Sequence, residues 1–236
     1  MSHNPPSLIL FDIDGTLVLT GGAGARAMTR AFREVFQVED GFRGVAMPGR
    51  TDPLIVAEAL RNAGVDLGDG LLDDFRLLYS ERLREEITKP GPRKGVLPGV
   101  RPLLDALTQR PDVLLALLTG NYTEAARIKL EHFDLWRYFA FGAYGEEAPD
   151  RNQLVGVAIE RARACGAPGE ALKRLIVVGD TPLDVACAHA GGALAVGVAT
   201  GGHTVEELEA CGADFVFENL SDARRFLALV DRSARR

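Results

Sequence analysis

The amino-acid sequence predicts an α/β protein: a mostly parallel sheet flanked by helices, with an inserted helical cap. Three observations lead there. Short continuous apolar runs recur along the chain, as expected of strands buried on both faces. Helical patterns with apolar residues at i, i+3, i+4 and i+7 separate these runs. One long stretch near the N-terminus is helical throughout and bounded by glycine and proline clusters.

The first strand is Leu8-Ile9-Leu10-Phe11, ending at Asp12. From Val18 to Val96 no convincing strand is visible. Gly21, Gly22 and Gly24 flank the start of this stretch, and Pro90, Gly91, Pro92, Gly95, Pro98 and Gly99 flank its end. Inside it, Met28, Phe32, Val35 and Phe36 form one apolar stripe, and a helical segment lies near Leu54–Ala63. Leu71, Leu72, Phe75, Leu78, Tyr79, Leu83 and Ile87 mark a longer helix. The expected division is therefore residues 1–17 and 97–236 as an α/β core and 18–96 as a helical cap.

Beyond the cap, Val100, Leu103, Leu104 and Leu107 repeat at helical spacing ahead of a strand at Val113–Leu118. Tyr138–Tyr144 is a weaker strand. Leu154, Val155, Ala158, Ile159 and Ala162 mark the next helix, and strands are expected at Leu175–Val178, Ala193–Val198 and Phe215–Phe217.

Composition narrows the function classes. With 47% apolar and 25% charged residues in 236, disorder and fibrous architectures are excluded. No apolar run approaches the roughly 20 residues that span a bilayer. Met1 to Pro6 lack the charged start and apolar centre of a signal peptide, so a cytoplasmic protein with no membrane partner is expected. The net charge of −6 argues against a general nucleic-acid binder, although one local site can still be positive. The stretch from Val18 to Val96 holds 12 basic and 12 acidic residues, so the whole excess of acid lies in the core. Cys165, Cys187 and Cys211 show no paired spacing and read as buried, reduced thiols. His3, His132, His189 and His203 show no metal spacing and read as structural or surface residues.

Three strand ends carry polar chemistry. The first is Asp12-Ile13-Asp14-Gly15-Thr16. Open α/β sheets bind ligands at the carboxyl edge, though such a string is also compatible with an Asx turn. The second is Thr119-Gly120-Asn121, a hydroxyl and glycine able to meet an anion or to cap a helix. The third is Gly179-Asp180-Thr181-Pro182-Leu183-Asp184, in which Asp180 can also serve as an N-cap. Crowding Asp12, Asp14 and Asp180 together calls for a hard divalent cation. Oxygen ligands without histidine point to Mg²⁺ rather than zinc.

In this order, each on a strand end, the three motifs resemble those of the haloacid dehalogenase-like (HAD) hydrolase superfamily. Asp12-Ile13-Asp14-Gly15-Thr16 matches its first motif, Thr119 its second, and Asp180 with Asp184 its fourth. The helical insert is similar to a C1-type cap, and the whole resembles phosphoglycolate-phosphatase-like members on a Rossmann-like core. The third motif departs. Most members carry a lysine there, and here Arg151 is the best occupant, while Lys129 and Lys173 fit worse. Arginine keeps the charge but presents a planar fork.

The resemblance implies a Mg²⁺-dependent phosphatase acting on a small phosphorylated metabolite, as a monomer or homodimer. Asp12 would attack phosphorus, and Asp14 would act as acid and then base. Asp14 would also ligate the metal through its main-chain carbonyl. Gly15, Thr16, Thr119, Gly120 and Asn121 would surround the phosphoryl oxygens. Arg151 would balance charge, Asp180 would hold the metal, and Asp184 would support it or orient Arg151. Dehalogenases of the superfamily lack the second acid, so Asp14 favours phosphoryl chemistry. Mutases carry a cap histidine after the first motif; Thr20 to Arg30 contain none. Phosphonatases place a lysine early in the cap; the first lysine here is Lys89. A non-catalytic binding protein is the remaining alternative, supported only by Arg151. Substrate choice would lie with the cap loop Pro48-Gly49-Arg50-Thr51-Asp52, with Arg50 as the candidate contact for a second anionic group.

Overall fold

The computed structural model describes residues 7–66, 70–165 and 174–232. Met1 to Pro6, including His3, and Lys173 lie outside the described residues. The main sheet has six strands: β1 (Ser7–Phe11), β4 (Val113–Leu118), β5 (Gly142–Ala143), β6 (Arg174–Gly179), β7 (Leu194–Val198) and β8 (Phe215–Phe217). Their spatial order is β5-β4-β1-β6-β7-β8, and every pairing is parallel.

The strands are apolar on both faces because both faces are covered. Ile9, Phe11, Leu115, Leu117, Ile176 and Val178 point into one core layer. There they meet Leu103, Leu104 and Leu107 of α4 (Val100–Thr108) and Phe226 and Leu229 of α9 (Ala223–Arg232). Leu8, Leu10, Ala116, Leu118 and Val177 point into the other. That layer is closed by α6 (Leu154–Ala164) and α7 (Pro182–Ala190). Each fully buried Leu or Ile contributes roughly 1.5–3 kcal/mol, so the alternation fixes register as well as stability.

Residues 23–87, between β1 and α4, build a separate helical layer. It contains α1 (Ala23–Phe36), α2 (Asp52–Ala63) and α3 (Leu71–Glu86). Phe32, Phe36, Phe42, Phe75 and Tyr79 pack at its centre, with Phe32 4.7 Å from Phe36 and 4.9 Å from Phe42 between ring centroids. Arg26 and Arg30 are partly covered and tie α1 to the buried Glu86 of α3 at 2.9 and 2.7 Å. Helix α5 (Thr123–His132) joins the two parts. Its Ala126 and Leu130 belong to the sheet core, while Ala125 and Ile128 belong to the helical layer.

Several expectations need correction. The stretch from Val18 to Val96 does hold strand: β2 (Val18–Leu19) and β3 (Gly95–Val96) pair antiparallel at its two ends. Two-residue strands are too short to leave a sequence period. Tyr138–Tyr144 reduces to the two-residue β5 after a 3-10 turn at Trp136–Tyr138. Leu72 is 39% exposed rather than part of the α3 stripe. Cys187 is buried, but Cys165 and Cys211 are exposed, each just past a helix end where the apolar face stops. No helix among the described residues is long and apolar enough to cross a membrane.

Candidate active site

The strand register brings the polar strand ends together. Phe11 pairs with Leu117 on one side and Val178 on the other. The residues just beyond are Asp12, Thr119 and Asp180, at the carboxyl edge where the chain order of the sheet reverses. After β1 the backbone folds tightly. Leu17 and Val18 donate to the Ile13 carbonyl at 2.9 and 3.1 Å, and Gly15 donates to the Val18 carbonyl at 2.9 Å. Gly15 has a left-handed φ of 87°, and a Cβ there would collide with the Asp180 carboxylate. Only glycine satisfies both conditions.

Asp12, Asp180 and Asp184 are buried and offer oxygens within 4.8 Å of one another. Burial, then the Asp184 charge, pushes the Asp12 carboxyl up to about 7. Burial, then Asp12 and Asp184, pushes Asp180 up to about 9. Two carboxylates 4 Å apart repel by roughly 4 kcal/mol at an effective dielectric near 20. A cluster of buried acids that resist ionisation, offering oxygen donors only, fits a hard divalent cation. The Asp14 carboxylate is not among the three; it turns toward Lys129 and Asn121.

Arg151, in a 3-10 turn leading into α6, reaches this cluster and is 7% exposed. Its Nη2 donates to Asp12 Oδ1 at 3.0 Å and also to Asp184 Oδ1. Its Nη1 donates to the Gly49 carbonyl of the helical layer at 2.8 Å. Its Nε is buried with no partner among the described residues. Burial opposes the guanidinium charge, but Asp184 and Asp12 outweigh it and hold the pKa above the usual arginine value. Asp184 is fixed in turn by the Thr181 N–H at 3.0 Å and the Thr181 hydroxyl at 2.7 Å.

The expected phosphate ring is only partly available. The Gly15 N–H is taken by Val18, and the Thr16 hydroxyl donates to Asp180 Oδ1 at 3.2 Å. The Asn121 amide donates to Thr119 Oγ1 at 2.7 Å and Asp14 Oδ2 at 2.9 Å, and its backbone N–H meets Thr119 Oγ1 at 3.3 Å. These donors are satisfied internally because the turn after β1 and the start of α5 must close their own hydrogen bonds. The Asp14 and Gly120 N–H groups and the Thr119 hydroxyl proton have no acceptor among the described residues.

The loop Pro48–Asp52 docks on this edge. The Asp52 N–H donates to the Gly120 carbonyl at 2.7 Å, and the Tyr122 N–H donates to Asp52 Oδ2 at 2.9 Å. Gly120 has no room for a Cβ against the Arg50 carbonyl. Burial pushes the Asp52 carboxyl up to about 7. Arg50 lines the cavity, but its guanidinium meets Glu58 at 2.6 Å and the Ala46 carbonyl at 2.9 Å. Arg93, with a left-handed φ of 50°, lines the same cavity and has no hydrogen-bond or ion-pair partner among the described residues. The cavity has a volume of about 370 Å³ and runs between Asp12, Asp14 and Arg151 below and Met28, Ile55 and Tyr79 above.

Arg93 was not named from the sequence, Asp52 only as part of the cap loop, and Lys129 only as a poorer fit to the third motif than Arg151. Lys129 is 4% exposed, and its Nζ contacts Asp14 Oδ2 at 2.6 Å and Asn121 Oδ1 at 2.5 Å. Its one sequence signal is a lysine set among the apolar residues Ala125, Ala126, Ile128 and Leu130.

Comparison with known proteins places the chain in a family. The haloacid dehalogenase-like hydrolase family profile matches residues 9–189. A phosphoglycolate phosphatase of Pseudomonas syringae pv. tomato is 31% identical over 203 residues, covering 83% of this chain and 70% of that protein. A probable phosphatase, IndB, of Dickeya dadantii is 28% identical over 91% of this chain and 90% of its own. Among solved structures, a hydrolase from Pseudomonas syringae superposes with TM-score 0.69 at 23% identity, covering 95% of this chain and 99% of that one. CbbY from Rhodobacter sphaeroides, solved with phosphate, superposes with TM-score 0.66 at 19% identity over 92% of this chain and 96% of its own. The chain belongs to the haloacid dehalogenase-like hydrolase family and is a hydrolase of the phosphatase type, similar to phosphoglycolate phosphatases.

Proposed function

We propose that this protein hydrolyses a small phosphorylated metabolite through an aspartyl-phosphate on Asp12, with Mg²⁺ as the divalent ion. One observation carries the reading. Asp12 sits beside Asp180 and Asp184, with the Arg151 guanidinium on it, at the floor of a cavity roofed by helices. Residues 18–96 then serve as the cap over a core made of 1–17 and 97–236.

Asp12 and Asp180, with the Asp14 main-chain carbonyl, would hold the metal. When bound, it neutralises the acids and the phosphate, so that a carboxylate can approach phosphorus. Asp12 attacks phosphorus, the bond to the leaving oxygen breaks, and Asp14 gives that oxygen its proton. Water then attacks phosphorus and passes a proton to Asp14, which frees inorganic phosphate and Asp12. Arg151 offsets charge on Asp12, and its unpartnered Nε is a further donor for a phosphoryl oxygen. Asp184 orients Arg151. The Asp14 and Gly120 N–H groups and the Thr119 hydroxyl remain for the phosphoryl oxygens. Gly15, Thr16 and Asn121 hold the machinery in shape.

The cavity suits a compact ester, and phosphoglycolate is the named candidate by likeness to the relatives. A sugar phosphate or nucleotide monophosphate is the alternative. Arg50 faces the cavity but is already paired, whereas Arg93 has no partner among the described residues and is the candidate to meet a second anionic group. The test is phosphate release from a panel of esters with Mg²⁺, with chelator, and with Asp12→Asn. Release that needs both the metal and Asp12, with a loss of at least about 10⁴-fold in the variant, is expected. No release from any ester by folded protein with Mg²⁺ would overturn the reading.

A further inference from the structure

Resting on that reading, we infer that Lys129 is a positioning residue that holds the Asp14 carboxylate toward the leaving group. The site holds two buried cations, and they do not share partners. Arg151 contacts Asp12 and Asp184, whereas Lys129 contacts Asp14 and Asn121. Burying an ammonium costs several kcal/mol unless it is paired. Lys129 is 5% exposed at its side chain, and its contacts are the short bond to Asp14 at 2.6 Å and that to Asn121 at 2.5 Å.

The geometry at Asp14 is one-sided. Both donors, Lys129 Nζ at 2.6 Å and Asn121 Nδ2 at 2.9 Å, meet the same oxygen, Oδ2. The other oxygen, Oδ1, has no hydrogen-bond partner among the described residues, and Asp14 lines the cavity. One carboxylate oxygen is pinned, and the other is left to exchange a proton with the leaving oxygen. Asn121 closes the triangle: its amide nitrogen holds Asp14 and Thr119 while its carbonyl receives Lys129.

The helical layer packs over the lysine. Gly24 at the start of α1 stands over the lysine, where an added Cβ would lie 3.4 Å from Lys129 Nζ and 3.8 Å from the Tyr79 hydroxyl. The ammonium is thus held under the cap, beside the acid and away from the nucleophile.

Leaving-group dependence separates this role from its rivals. An alkyl phosphate needs a proton on its departing oxygen, whereas p-nitrophenyl phosphate does not. In Lys129→Met, first-turnover cleavage of an alkyl phosphate is expected to fall by about 10²-fold with little change in KM. The first-turnover burst of p-nitrophenolate is expected to stay within about 5-fold of wild type, since general-acid help is the only part removed. Equal losses for both esters would indicate a merely structural lysine. A rise in KM confined to esters carrying a carboxylate would make it a substrate anchor. Either result, or no loss at all, overturns the inference. Should Lys129→Met not fold, Lys129→Gln, which removes the charge but keeps a donor, is used instead, and the same split is expected at about 10-fold. A flat response there also overturns the inference. If the wild type cleaves no ester, the phosphatase reading and the Lys129 role fall together. If it cleaves them and the split is absent, only the latter falls.

Discussion

The two halves of the site are charged differently. Around Arg151, two of three clustered buried carboxylates, Asp12 and Asp184, share one guanidinium, and Asp12 and Asp180 are pushed up to about 7 and about 9. Around Lys129, one ammonium meets one carboxylate and one amide, and the hydrogen bonds close on themselves. The first half has more acid than its own residues can neutralise, which is the condition for recruiting a cation. The second half is balanced, which is the condition for holding a side chain still. A site that binds charge and a site that positions a proton need opposite electrostatics. They lie close together, because only Ile13 separates Asp12 at the end of β1 from Asp14 in the turn that follows.

Breaking the Arg151 half should have the largest effect. Arg151→Met is expected to lower kcat by about 10²–10³-fold, the range found when a donor to developing charge is lost. Arg151→Lys should recover only part of this. One ammonium cannot span Asp12, Asp184 and the Gly49 carbonyl as the planar fork does. Full recovery by lysine would show that point charge suffices.

An intermediate effect is expected at Asp52, which joins the cap loop to the balanced half through the Tyr122 N–H. Its folded-state pKa of about 7 is raised from 3.8 by burial. The folded protein therefore holds a proton that the unfolded chain releases, and this stability is lost as pH rises from about 4 to about 7. Against Asp52→Asn, which keeps an acceptor, wild-type stability should decline across that window by up to about 1.4 kcal/mol per pH unit. Denaturant titrations of both proteins at several pH values measure the difference, and parallel curves would contradict the assignment.

The smallest effect concerns the roof of the cavity. Arg93→Ala is expected to raise KM for an ester with a second anionic group by about 3- to 10-fold, equivalent to about 1 kcal/mol at an exposed contact. Arg50→Ala should change KM less, since Glu58 and the Ala46 carbonyl already hold that side chain. The reverse order would return the substrate contact to Arg50.

Core strands and acids were legible because they obey local rules. A run such as Leu8–Phe11 buried on both faces leaves a continuous apolar signal, and an acid just past it stands at a known edge. Asp12, Asp14, Thr119 and Asp180 were therefore placed correctly relative to their strands. The two-residue strands β2 and β3 were not visible, since two residues carry no period. Gly15, Thr16 and Asn121 were expected around the phosphate because the family resemblance implied it. Which donors remain free depends on who already accepts from them.

By itself, then, the sequence determined the α/β layering, the helical insert, the order of acids along the sheet edge and the presence of Arg151 before α6. Periodicity, turn chemistry and strand ends are properties of neighbours along the chain. Only the tertiary structure decided that Arg151 joins Asp12 to Asp184, that Lys129 contacts Asp14, that Arg50 is occupied and that Arg93 has no partner among the described residues. The contacts of Arg151 with Asp12 and of Lys129 with Asp14 join residues far apart in sequence. Their partners are set by register, by helix rotation and by how closely two layers approach, and none of these is written in any one segment.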